Sequence, residues 1–177
     1  MTALLTPDVE SDDLEKVERA PETTVLVVDD SSTARLYVRR LIERLTGHRV
    51  VVACDGREAL ATLARESCAA VVTDLHMPGM DGLELVEAIR DRHPLVPVIL
   101  MTAQGNEDVA VKALQSGAAS YVSKKALEQD LADTLERVLS AAKVDRRRQG
   151  LLECVSDLDC TFVLDNDPGM VPLLVTH

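Results

Sequence analysis

Tryptophan is absent from this chain, phenylalanine occurs once and tyrosine twice, so aromatic side chains make up only 2% of the 177 residues. Binding that stacks bases on aromatic rings has almost nothing to work with. A net charge of −11 also removes the broad basic face that holds a phosphate backbone. No direct nucleic-acid contact is expected. Long apolar runs are missing, the longest falling far short of a membrane span. The N-terminus has no basic segment leading into an apolar stretch, so no signal peptide is read. The four cysteines, Cys54, Cys68, Cys154 and Cys160, form no Cys-x-x-Cys pair and do not cluster with His48, His76, His93 or His177. Structural zinc is therefore not expected. Cys54 and Cys68 lie beside predicted strands and read as small buried apolar residues. Neither Gly-x-x-x-x-Gly-Lys nor Gly-x-Gly-x-x-Gly occurs, which leaves P-loop and dinucleotide-binding readings unsupported. The expectation is a reduced, cytoplasmic, soluble protein, with ample length for a core.

The charge is distributed unevenly. Residues 1–22 are acidic and poor in apolar side chains, a composition that predicts disorder or a frayed helix at Asp12–Arg19. Residues 143–148 reverse the sign with Lys143, Arg146, Arg147 and Arg148, a solvated linker on this reading. Residues 149–177 carry five acids and no bases.

Between these ends, short apolar runs alternate with helical patterns. Strands are predicted at about 24–29, 50–53, 69–74, 96–101 and 119–122. The first helix follows Ser31-Ser32, either of which can cap it, and carries Leu36, Leu41, Ile42 and Leu45 up to Gly47. The second starts after Asp55-Gly56 with Ala59, Leu60 and Leu63 inward, and the third carries Leu83, Leu85, Val86 and Ile89. A fourth runs from near Asn106 to Ser116, and a fifth starts near Ala126 with Leu127, Leu131, Leu135, Val138 and Leu139. Five such βα units imply an α/β fold, a parallel sheet with helices on both faces. Ligands bind such sheets at the carboxyl ends of the strands. Three of the runs end on Asp29-Asp30, Asp74 and Thr102, and a fourth is followed by Lys124. Three carboxylates, a hydroxyl and an ammonium converging there would make a site for Mg²⁺ and a phosphoryl group. Asp55 and Asp81 read as turn residues.

The stretches Val25-Leu26-Val27-Val28-Asp29-Asp30-Ser31, Thr73-Asp74-Leu75-His76-Met77-Pro78-Gly79-Met80-Asp81-Gly82, Leu100-Met101-Thr102-Ala103 and Tyr121-Val122-Ser123-Lys124 resemble, in order and spacing, the receiver domain of bacterial two-component response regulators. The resemblance covers about residues 23–142. It implies a flavodoxin-like doubly wound (βα)5 fold with strand order 2-1-3-4-5. It also implies a phosphoacceptor switch that catalyses only its own phosphorylation and dephosphorylation. Asp74 would be the nucleophile toward a phosphohistidine. Mg²⁺ would be bound by Asp30 and Asp74, by Asp29 directly or through water, and by the backbone carbonyl of His76. Lys124 and Thr102 would contact phosphoryl oxygens, and Tyr121 would be the aromatic switch answering Thr102. The family usually has proline after the lysine, often with a cis peptide. Lys125 stands there in this chain, so either a costly cis bond is held or the loop differs.

Implied partners are a sensor histidine kinase or phosphotransfer protein, and a second copy of the chain through the face of helix four, strand five and helix five. Residues 143–177 read as a helix extension and tail, helix five continuing toward Leu151-Leu152. The segment Thr161–Pro168 faintly resembles the lead-in to a histidine-kinase-like ATPase domain, so the tail reads as the truncated start of an output domain. A competing reading is a Mg²⁺-dependent phosphohydrolase with Asp74 as nucleophile, and a third is a metal-independent scaffold.

Overall fold

Runs of Val, Leu and Ala with no polar face are stable only where both sides of a sheet are covered. The computed structural model of the chain describes residues 23–103 and 107–156 and places the runs in such a sheet. The strands are β1 (Thr24–Val28), β2 (Arg49–Ala53), β3 (Ala70–Asp74), β4 (Val98–Thr102) and β5 (Ser120–Ser123). They alternate with α1 (Ser32–Thr46), α2 (Gly56–Leu63), α3 (Gly82–Arg92), α4 (Glu107–Gln115) and α5 (Leu127–Ser156), and a 3-10 turn at Lys124–Ala126 leads into α5. Every strand pair is parallel and the order is β2-β1-β3-β4-β5, the expected doubly wound topology. Backbone contacts divide the chain between Lys143 and Val144, and the sheet belongs to the unit before that point. The expectations for residues 1–22, for Asn106 and for Thr161–Pro168 lie outside the described residues.

Alternate residues of a strand face opposite sides, and the core splits on that parity. Val25 and Val27 join Val38, Leu41 and Ile42 of α1 and Leu131, Leu135 and Leu139 of α5. Leu26 and Val28 face the other way, onto Ala59 and Leu63 of α2, Leu85, Val86 and Ile89 of α3, and Ala113 of α4. Side-chain oxygens cap the helices: Ser31 accepts from Ala34 N–H, Asp55 from Glu58 N–H, and Asp81 from Glu84 N–H in a reciprocal capping box. Gly47, at φ 71°, ends α1 in the left-handed region.

Some expectations shift. Leu36 and Leu45 are exposed. Leu36 falls opposite the Val38–Leu41–Ile42 stripe at helical spacing, and Leu45 lies in the last turn. Cys54 is exposed just past the end of β2, whereas Cys68 is buried. β4 begins at Val98 rather than 96 because Pro97 has no N–H to give, although its carbonyl still accepts from Val71 N–H at 2.9 Å. Thr102 is thereby the last residue of β4, not the first beyond it.

Candidate functional site

Parallel pairing brings the strand ends to one place. Val28 lies opposite Thr73, Asp74 opposite Met101 and Thr102 opposite Ser123. One further step along β1 and β5 therefore sets Asp29 beside Asp74 and brings Lys124 toward both. Carboxylate oxygens of Asp29, Asp30 and Asp74 all lie within 4.8 Å of one another, Asp29 and Asp74 buried and Asp30 exposed. The two buried carboxylates are held in the same way. Asp29 accepts from Ser31 N–H through Oδ1 at 2.9 Å and from Lys124 Nζ through Oδ2 at 2.8 Å. Asp74 accepts from Leu75 N–H through Oδ1 at 2.8 Å and pairs with Lys124 Nζ through Oδ2 at 2.9 Å. Each thus has one oxygen on a backbone amide and one on the shared ammonium. Burial pulls the Lys124 pKa down, but the hydrogen bonds and charges of Asp29 and Asp74 outweigh it and leave the value raised.

Other named residues take up their places around this group. Thr102 is buried at the end of β4. Tyr121 on β5 points outward and is 40% exposed. His76 is exposed, two residues beyond Asp74. The described backbone has no cis peptide, and the N–H that a proline would lack at Lys125 is accepted by Ser123 Oγ at 3.3 Å. The loop therefore differs instead of holding a strained bond.

Two contributors escaped the sequence reading. Gly82 opens α3 against the site strand, its N–H on Leu75 C=O at 2.9 Å. A Cβ there would overlap the Asp74 carbonyl oxygen and come within 2.8 Å of Leu75 Cα and a Leu100 methyl. Arg35 of α1 donates through Nη1 to the carbonyls of Asp29 at 2.6 Å and Asp30 at 3.1 Å. An arginine in the first turn of a helix gives no sequence signal that it turns back onto the preceding loop.

The donor set suits a hard divalent cation, which takes carboxylate, carbonyl and water oxygens. The place already accommodates positive charge, since two of its three carboxylates share the Lys124 ammonium. A family model described as the response regulator receiver domain matches residues 25–136. The chain belongs to this family. The receiver is 40% identical over 116 residues to the DNA-binding transcriptional regulator NtrC of Salmonella typhimurium, a match covering 66% of this chain and 24% of the relative. It is 42% identical over 113 residues to the response regulator protein FleR of Pseudomonas aeruginosa, covering 64% and 24%. The matched part thus spans about a quarter of the length of these relatives. Among solved structures, the receiver resembles chemotaxis response regulator CheY4 of Vibrio cholerae (TM-score 0.60, 31% identity, covering 66% of this chain and 98% of that one). It also resembles a LuxR-family two-component response regulator from Aurantimonas (TM-score 0.63, 33% identity, covering 67% and 85%). Among the described residues no helix is long and apolar enough to cross a membrane.

Proposed function

We propose that this receiver takes a phosphoryl group from a histidine kinase or phosphotransfer protein onto Asp74 and uses the resulting state to control an output. The observation that carries the assignment is the Lys124 ammonium bridging the buried Asp29 and Asp74 at the ends of adjacent strands. In the transfer, an Asp74 oxygen forms a P–O bond as the donor's P–N bond breaks. The bonding pair stays with the imidazole nitrogen, which ends protonated. Asp29, Asp30, Asp74 and the His76 carbonyl would hold Mg²⁺, which when bound cancels the repulsion between carboxylate and phosphoryl oxygens. Lys124 is within reach of the Asp74 oxygen and is placed to turn to a phosphoryl oxygen. Thr102, at the end of the neighbouring strand, is placed to donate its hydroxyl to another.

The hydrolase reading is not favoured, because the charged group paired with Asp74 is an ammonium that holds anions in place, not an acid poised to protonate a leaving group. We read the chain as a cytoplasmic switch and place partner or self-contacts on the face with Val111 and Leu114 of α4 and Tyr121 of β5, all exposed.

Acetyl phosphate with Mg²⁺ should add one alkali-labile phosphoryl group, mapped by mass spectrometry to Asp74 and absent from Asp74→Asn. Label on Ser31, Thr102 or a histidine would overturn the assignment. Multiple turnover of an alkyl phosphomonoester would restore the hydrolase.

A further inference from the structure

The carboxylates of Asp29 and Asp30 are held very differently. Asp29 gives its N–H to Ala53 C=O at 3.4 Å and has both side-chain oxygens engaged, by Ser31 N–H and by Lys124. Asp30 is exposed, and among the described residues no hydrogen bond reaches its carboxylate. Its position within 4.8 Å of the other two is therefore set by its own backbone. Arg35 is what grips that backbone. A single guanidinium nitrogen serves the carbonyls of both residues, at 2.6 and 3.1 Å, which fixes two successive peptide planes at the turn from β1 into α1. The same charge lies near Glu58 in the first turn of α2. It helps lower that carboxylate's pKa, behind the larger effect of the hydrogen bonds from Cys54.

We infer that Arg35 is a positioning residue of the metal and phosphoryl site: by fixing the Asp29 and Asp30 carbonyls it fixes where the Asp30 carboxylate is presented. This rests on the metal reading above. Geometry and charge make opposite predictions. A nearby cation disfavours a divalent ion, so if charge were its whole effect, removing Arg35 would tighten metal binding. If it positions, removal weakens binding. Lysine keeps the charge, but its ammonium ends one bond short of the Nη1 atom that meets both carbonyls.

The test titrates the full chain with MgCl₂ by calorimetry as wild type, Arg35→Ala and Arg35→Lys, with urea unfolding of each without metal. Both substitutions should raise the Mg²⁺ dissociation constant about tenfold, as loss of an outer support for metal ligands does. The amide resonances of Asp30 and Ser31 should move in the metal-free protein. The rate of acetyl phosphate labelling should recover at saturating Mg²⁺, since the metal then supplies the ordering that Arg35 gave. An unchanged constant in Arg35→Lys, a tighter one in Arg35→Ala, or a loss of unfolding stability alone would each overturn the inference. A wild type that binds no Mg²⁺ would remove the metal reading and this inference with it. A wild type that binds while both variants match it removes only the role of Arg35.

Discussion

Lys124 is the residue on which most of the site's electrostatics turns. Its ammonium is 28% exposed and compensates two nearly inaccessible carboxylates. Replacing it strands negative charge in the protein. Removing one partner of a fully buried pair costs about 3–5 kcal/mol. Partial exposure reduces this, so Lys124→Met should lower metal-free stability by about 2 kcal/mol, read by urea unfolding, with Mg²⁺ restoring part of it. The raised pKa has a sign that can be checked. A lysine that binds its proton more tightly when folded contributes fully below its unfolded value of about 10.4 and loses that contribution as pH climbs through the folded value. Wild-type stability should therefore fall on the alkaline side more steeply than that of Lys124→Met. Parallel curves above pH 10 would contradict the pairing.

At the scale of elements, the β3–α3 connection is the tightest joint near the site. Three neighbours crowd the missing Cβ of Gly82, two of them in the backbone of Asp74 and Leu75. Gly82→Ala should cost about 2–3 kcal/mol, at the upper end for overpacking, and should slow labelling of Asp74 because relief of the clash displaces that strand end. Asp81→Ala, which removes one half of the adjacent capping box, should cost only about 1 kcal/mol and leave labelling intact. Comparing urea midpoints with labelling rates separates the two. The strands and their last residues were legible in the sequence because burial on both faces demands uninterrupted apolar runs, and a charge can stand only where a run ends. Helix faces were less so: four leucine and isoleucine positions were offered for α1, and the sheet buries only Leu41 and Ile42 of them, along with Val38. Arg35 and Gly82 act on backbone atoms of other segments, contacts that no local pattern encodes. The role of Lys124 as a bridge between Asp29 and Asp74 likewise needed the register of β5 on β4 and of β3 on β1.

For the whole molecule, metal and phosphoryl binding should register far from the strand ends. Mg²⁺ should raise the melting temperature with the logarithm of its concentration, the gain reaching about 2.7 kcal/mol at a hundredfold excess over the dissociation constant, and Asp30→Asn should remove most of it. A melting curve indifferent to millimolar Mg²⁺ would count against the metal site. Beryllofluoride, standing in for the phosphoryl group, should draw Thr102 toward Asp74 and turn Tyr121 from its outward position. Couplings of this kind are about 1–3 kcal/mol, so NMR should show a shifted population, not complete conversion. An unmoved Tyr121 in a formed complex would end the switch proposal without touching the acceptor. The strand order also has a consequence for synthesis. As the chain leaves the ribosome, β1, β2 and β3 can assemble once Asp74 has emerged, with the acidic trio in place, yet its counter-charge is encoded fifty residues later at Lys124. At roughly 5–20 residues per second the nascent domain spends several seconds before the ammonium that pairs with Asp29 and Asp74 arrives. The turn after the last strand therefore brings the ammonium that pairs with Asp29 and Asp74, and a chain cut before β5 would leave those two carboxylates without it.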